Sequence, residues 1–95
     1  MECIFPDELD NARVLFYTPK GDYGKMYYDN GEIAAYFSYL AICKYDDDRN
    51  HDKGYYLFYC NENKEVETDD FWHSIEECMS VADNSCEGRI LWIEK

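Results

Sequence analysis

Residues Tyr55–Cys60 (YYLFYC), directly after Gly54, are the clearest β-strand in the sequence, and the other elements can be placed around them. The six residues are aromatic, apolar or cysteine, and Gly54 and the polar turn at 61–64 (NENK) bound them, as is typical of a buried strand. A second such run, residues 38–45 (SYLAICKY), lies on the other side of the polar loop 46–53 (DDDRNHDK). The two runs and their loop predict an antiparallel hairpin.

Shorter strands are predicted on both sides of this hairpin. Ala12–Tyr17 (ARVLFY) is a short apolar run that proline and glycine follow closely, which favours a strand over a helix. Residues 65–68 (EVET) predict a short strand with the charges of a sheet edge, and residues 89–94 (RILWIE) predict a last strand. Residues 6–10 (PDELD) are typical of a turn or a single helical turn.

The Asn30-Gly31 pair predicts a second hairpin, because both residue types tolerate the positive φ of a tight turn. Residues 25–28 lead into this turn and residues 32–37 follow it. β-Preferring residues favour strands at 32–37 and 38–45, with a bend near Ser38 that reconciles their combined length. A helix remains the alternative at 32–37, where apolar side chains also recur at helical spacing.

A helix is predicted directly after Ser74, which forms a capping box with Glu77. Residues 84–88 are expected to end this helix, and His73 is expected to pack as a staple on Cys78. One apolar face is formed by Ile75, Cys78, Met79 and Ala82. The predicted fold class is therefore α+β: an antiparallel sheet of about five or six strands with one helix packed on one face, in a single domain spanning residues 1–95.

Acidic residues dominate the charge of this 95-residue chain, with 21 Asp and Glu against 9 Lys and Arg and a formal net charge of −12. The 46% of hydrophobic residues and 18% of aromatic residues exclude a disordered acidic tail. The acid excess argues against direct contact with nucleic acid. No segment is apolar enough to span a membrane, and no signal peptide is visible, so a cytoplasmic protein is expected.

The five cysteines, at positions 3, 43, 60, 78 and 86, are odd in number and form no C-x-x-C pair. This pattern predicts a reducing compartment, in which Cys43 and Cys60 serve as small buried hydrophobic residues. A zinc site from Cys60, His73, Cys78 and Cys86 does not fit the usual ligand spacing.

A calcium loop is also rejected, because His51 stands where the EF-hand needs glycine and Leu57 where it needs glutamate. No phosphate-binding glycine pattern or paired nucleophile and base is present. We therefore predict no metal, no cofactor and no catalytic residue, and the chain is not expected to be an enzyme.

Several motifs resemble a group of small bacterial proteins of unassigned function. The resemblance covers residues 39–42 (YLAI), Gly54 with Tyr55–Cys60, residues 68–69 (TD), and residues 72–77 (WHSIEE). It implies a small intracellular bacterial protein of the immunity-protein kind, and it transfers no catalytic residue.

The charge predicts a binding module that docks onto a basic partner protein, because a strong negative field steers association with positive surfaces. The aromatic pair Phe71-Trp72, beside two aspartates on an expected loop before the helix, is interpreted as an interface anchor, or else as two rings that cap the core. The predicted partner-binding residues are Asp46, Asp47, Asp48, Asp52, Glu65, Glu67, Asp69, Asp70 and Trp72.

Two alternatives remain open. The acidity could serve solubility alone in a domain that self-associates, for example as a homodimer. A small-ligand protein or enzyme with a Cys or carboxylate pocket would instead show a concave site lined by tyrosines.

Overall fold

A computed structural model describes residues 5–45, 54–85 and 90–95 of the chain. In chain order the elements are β1 (Glu8–Leu9), β2 (Ala12–Tyr17), β3 (Lys25–Tyr27), β4 (Ile33–Tyr36), β5 (Tyr39–Lys44), β6 (Tyr55–Cys60), β7 (Val66–Trp72), α1 (Ile75–Ser85) and β8 (Ile93–Glu94).

The main sheet is antiparallel and has the strand order β1-β2-β5-β6-β7, with β8 also paired to β2. Strands β3 and β4 form a separate two-stranded sheet. One helix, α1, packs on one face of the main sheet. The predicted α+β fold class, with its sheet of five or six strands and one helix, is confirmed.

The two central strands β5 and β6 are buried on both faces, which explains why their sequences are continuously apolar instead of alternating. On the helix face, Leu40, Ile42 and Leu57 pack with Cys78 and Ala82 of α1. We call the opposite face the closed face. Phe5 and Leu9 of the N-terminal segment help to cover its residues, which are Tyr39, Ala41, Cys43, Phe58 and Cys60.

The closed face is covered because the sheet curls. A tight turn at Asp10 and Asn11, with φ of 49° and 69°, joins β1 to β2, and short polar side chains tolerate this left-handed conformation. The Tyr45 hydroxyl donates a hydrogen bond to the Asp10 carbonyl oxygen at 3.0 Å. The expectation of a simple turn at residues 6–10 was incomplete, because Glu8–Leu9 pairs with β2 as a strand.

Strands β2 and β5 continue beyond the main sheet as a bent ribbon whose outer end is the β3–β4 hairpin. Thr18 is fully buried at the bend, where its amide donates to Leu40 O at 3.0 Å and its Oγ1 accepts from Leu40 N at 2.9 Å. Residues 37 and 38 separate β4 from β5. The predicted hairpin at Asn30-Gly31 and the bend near Ser38 are confirmed, and the alternative of a helix at 32–37 is wrong.

The predicted helix and its capping serine are confirmed. Ser74 Oγ accepts a hydrogen bond from the Glu77 amide at 3.1 Å, and the Glu77 carboxylate lies 3.5 Å from the same hydroxyl. Cys78 and Ala82 are buried, and Ile75 and Met79 pack against the same cluster. The predicted apolar face therefore holds α1 on the sheet.

Two strands differ in length from the predictions. β7 extends to Trp72 instead of ending at residue 68, because pairing with the buried strand β6 carries Asp69 and Asp70 into the sheet despite their low strand preference. β8 covers only Ile93–Glu94, since β1 already occupies the other part of the β2 edge. Leu91, within the predicted last strand, is 63% exposed.

Gly54 should be intolerant of any side chain. A Cβ atom there would lie 2.6 Å from the Trp72 carbonyl oxygen and would overlap the Phe71 ring. We expect Gly54→Ala to lower the free energy of unfolding by about 1–3 kcal/mol, the usual range for overpacking. Urea unfolding measures this change. Gly21→Ala is the control, because its new methyl group meets only the side chain of Tyr23; an equal loss in both variants would contradict the packing argument.

Candidate interaction surface

Strand β7, the last in the described strand order, carries most of the predicted partner-binding residues that the structure describes. Asp69 and Phe71 pair with Phe58 and Tyr56 on the closed face, whereas Asp70 and Trp72 are on the helix face. Glu65 precedes the strand and is exposed, and Glu67 within it is half-buried. The predicted residues therefore do not form one continuous patch, since alternate strand positions point to opposite faces.

The other predicted partner-binding residues, Asp46, Asp47, Asp48 and Asp52, lie outside the described residues. The negative surface is therefore characterised through β7, the turn before it and the β3–β4 hairpin.

Asp69 lies among like charges. Partial burial raises the pKa of its carboxyl above the ordinary value of 3.8, and the negative charges of Asp70 and Asp10 raise it further. Asp10 belongs to the β1–β2 turn, at the opposite end of the strand order. The charge of Asp10 acts on Asp69 because the curled sheet brings the β1–β2 turn towards β7.

Because the folded state favours the protonated form of Asp69, its ionised form lowers stability at neutral pH. We expect Asp69→Asn to raise the melting temperature at about pH 7. This gain should shrink as the pH falls and disappear below 3.8, because only below that pH is the carboxyl mostly protonated in both states. Thermal unfolding across this pH range tests the sign. Asp29→Asn, in the exposed hairpin turn, is the matched control, and an equal gain in both variants would contradict the local origin.

Trp72 contributes to the core more than to the surface. Its ring is half-buried and packs in the helix-face cluster, as does that of Trp92. Its neighbour Asp70 accepts a hydrogen bond from the Tyr59 hydroxyl at 3.0 Å. The expected loop at residues 69–72 is wrong, because these residues form the second half of β7. The structure places Trp72 as a ring that caps the core.

The turn between β6 and β7 is organised by one side chain, Asn61. Its Oδ1 accepts from the amides of Asn63 and Glu65 at 2.9 and 3.0 Å. Its Nδ2 donates to the carboxylates of Glu65 at 3.1 Å and Glu67 at 3.4 Å. Lys64 takes a φ of 64° to complete the turn. Asn61 therefore holds two of the predicted partner-binding carboxylates in place.

Replacement of Asn61 should reveal this role. Asn61→Ala removes both sets of hydrogen bonds, and Asn61→Asp keeps the acceptor but places a third carboxylate beside Glu65 and Glu67. Each should cost about 1 kcal/mol of unfolding free energy. The loss in Asn61→Asp should shrink between about 0.05 M and about 0.5 M NaCl, since salt screens repulsion between exposed charges. Urea unfolding at both salt concentrations measures this, and identical salt responses would contradict it.

An open cleft of about 460 Å³ lies between the β3–β4 hairpin and the β6–β7 turn. The pairing with β6 extends from β5 back to Ser38, whose amide donates to the Cys60 carbonyl oxygen. Strand β4, which precedes Ser38, turns away from the main sheet, and the cleft forms in the space between. Two aromatic residues, Tyr36 and Phe37, line it. Three carboxylates also line it, those of Asp22, Glu62 and Glu67. We call this site the acidic cleft.

The outer face of the β3–β4 hairpin exposes large side chains. Tyr27 and Tyr36 are 59% and 56% exposed, and Ile33 is 39% exposed. The opposite face, with Met26 and Ala35, packs inward. We call Tyr27, Ile33 and Tyr36 the tyrosine face. No local pattern predicts this face, because strict alternation would place Ile33 on the same side as Ala35. Ile33 joins Tyr27 and Tyr36 only through the register irregularity between Met26 and Tyr27.

The described cysteines offer no reactive thiol. Cys43, Cys60 and Cys78 are free and buried, as predicted for Cys43 and Cys60. Burial raises the pKa of the Cys60 and Cys78 thiols to about 12, so the thiol form dominates at neutral pH. His73 is exposed and contacts the edge of the Phe71 ring, with centroids 5.4 Å apart. The expected staple on Cys78 is therefore wrong.

Among residues 5–45, 54–85 and 90–95, no group of three or more His, Cys, Asp or Glu side chains is arranged to hold a metal ion. Within the same residues, no helix has the length and apolar character that crossing a bilayer requires. Comparison of the chain with protein-family models, with curated proteins and with solved structures finds no match.

Proposed function

We propose that the protein is a small acidic, cytoplasmic protein-binding module that docks onto a basic partner protein, in the manner of an immunity or inhibitor protein. One observation carries the proposal. The described residues include 15 Asp and Glu but only 6 Lys and Arg, a side-chain charge of −9 with histidine neutral. The chain's own basic side chains are therefore too few to neutralise its surface.

Four of those basic side chains face aromatic rings. The Nζ atoms of Lys25, Lys44, Lys64 and Lys95 lie 5.7, 5.4, 5.0 and 5.9 Å from the ring centroids of Tyr36, Tyr55, Tyr39 and Tyr17. The carboxylates outnumber the basic side chains, so the protein has a strong negative field. This field accelerates encounter with a positive protein surface.

The carboxylates are also carried by a well-filled body. β5 and β6 are buried on both faces. β7 is paired with β6 at Asp69 and Asp70, and Glu67 lies at a register irregularity of the same strand pair, where Asn61 donates a hydrogen bond to its carboxylate. Charges fixed in this way need little ordering when a partner arrives, which lowers the entropic cost of binding. The free, buried cysteines fit a reducing cytoplasm.

Capture from a lysate of the source organism tests the proposal. We expect the immobilised protein to retain a basic protein at about 0.05 M NaCl and to release it at about 0.5 M. The dissociation constant of the purified pair should then rise steadily with salt. The triple variant Glu65→Gln, Glu67→Gln and Asp69→Asn should bind more weakly than the unchanged protein. If the retained proteins are not basic, or if retention is the same at both salt concentrations, the proposal fails.

Self-association is the second candidate function, and the tyrosine face favours it, because exposed aromatic residues are typical of interfaces. The net charge of −12 on each copy opposes it. Light scattering at increasing concentration decides between the two: a dimer that forms more readily at high salt would favour self-association.

A further inference from the structure

We infer that the acidic cleft and the tyrosine face together form the docking site for an arginine-bearing segment of the partner. This inference rests on the proposed function and adds where the partner binds and which chemistry it presents. The cleft would receive the guanidinium group, and the tyrosine face would cover the flanking residues of the same segment.

The two surfaces are continuous. Tyr36 belongs to both, since its side chain lines the cleft and is also part of the exposed outer face of the hairpin. Tyr27 and Ile33 are cross-strand partners on that face, next to Lys25 and Tyr36. A bound segment can therefore pass from the carboxylates to the aromatic surface beside the exposed Lys25.

The charge of the cleft calls for a cation. Asp22, Glu62 and Glu67 line it. Two basic groups lie beside it: Lys25, whose Nζ is 5.7 Å from the Tyr36 ring centroid, and Lys20, whose Nζ lies 3.9 Å from Glu62 Oε2 in an ion pair. Both side chains of this ion pair are exposed, at 62% and 70%, so water screens it and it is weak. An arriving cation can displace Lys20 from Glu62 at little cost.

Two of the three carboxylates are held in place before any partner arrives. Asn61 donates to Glu67 at 3.4 Å, and Asp22 accepts from the amide of Gly24 at 3.3 Å. The Tyr23 hydroxyl donates to Pro19 O at 2.7 Å and braces the loop that carries Asp22. A site with these restraints loses less conformational entropy on binding than a set of free surface chains.

Arginine fits the cleft better than lysine. Its planar guanidinium can stack on an aromatic ring while it donates to carboxylates, and it donates to one carboxylate through two parallel bonds. Lys25 Nζ lies 5.7 Å from the Tyr36 centroid, so a guanidinium that stacks on the same face of this ring must displace it. The volume of about 460 Å³ exceeds one side chain, which leaves room for the neighbouring backbone of the segment.

Binding of a second copy is disfavoured at this site. A copy docked on the tyrosine face would bring its own carboxylates, with the same net charge of −12, towards Asp22, Glu62 and Glu67. Like charges placed opposite one another at an interface oppose association. The combination of aromatic surface and acidic cleft therefore selects a positively charged partner.

NMR titration of the ¹⁵N-labelled protein tests the inference with a defined probe. The probe is a capped Gly-Ser peptide that carries two arginines, and its control is the same peptide with citrulline, which keeps the shape but lacks the charge. We expect the arginine peptide to shift the amide signals of Asp22, Tyr36, Glu62 and Glu67. The citrulline peptide should leave them unchanged.

Two double variants of equal charge separate the cleft from the general field of the protein. Glu62→Gln with Glu67→Gln should raise the peptide dissociation constant about fivefold, the size expected for two surface ion pairs. Glu8→Gln with Asp83→Asn, on β1 and α1, should change it less than about twofold. Tyr36→Ser should raise it by about two- to fivefold through loss of the cation–π contact. The same spectra report whether each variant is folded.

The outcomes distinguish the site from the function. If both double variants weaken binding equally, or if the shifted amides lie elsewhere, the cleft is not the site, although docking on a basic partner stands. If the arginine peptide shifts no signals, the inference is overturned. The proposed function fails separately, when no basic protein is retained from the lysate at low salt.

Discussion

Strands β5 and β6 must be covered on both faces, because their apolar side chains point both ways, and this constraint governs how the other elements are arranged. An 11-residue helix is long enough to cover only one face. The other face is covered by Phe5 and Leu9 and by the curl that brings Asp10 near β7. The tight turn at Asp10 and Asn11 and the packing of Phe71 at Gly54 follow from this need.

The same constraint shapes the surface. Because the central strands take up most apolar side chains, the outer strand β7 and the turn before it are left to carry charge. The β3–β4 hairpin is the exception, since it projects from the main sheet and buries only its inner side. Its outer side therefore exposes aromatic residues next to a cleft lined by carboxylates, which is where the geometry and the charge of the molecule coincide.

Much of the fold could be predicted because local signals agreed with the tertiary structure. Ala12–Tyr17 and Tyr55–Cys60 have the predicted limits, Asn30-Gly31 forms the turn of a hairpin, and Ser74 caps the helix. β7 was predicted too short, since Asp69 and Asp70 have low strand preference and pairing with β6 overrides it. β1 was missed because a two-residue strand carries no periodic signal.

The candidate site was harder to predict than the fold. The negative charge is visible in the composition, but the cleft depends on where β4 turns away from the main sheet at Ser38, and no local pattern encodes that divergence. Asp22 and Glu62 were not selected because each is one acid among 21 until the chain brings them together. Trp72 was selected for its type and its neighbours, whereas its strand position turns it towards the core.

The placement of the tryptophans has an optical consequence. Both indole rings of the chain, Trp72 and Trp92, pack in the helix-face cluster, and the closed face contains tyrosine and phenylalanine instead. Intrinsic emission excited at the red edge of the indole band therefore reports on the contact between α1 and the sheet. The opposite layer holds no indole among its described residues, so a change in that signal identifies the helix-face half of the core.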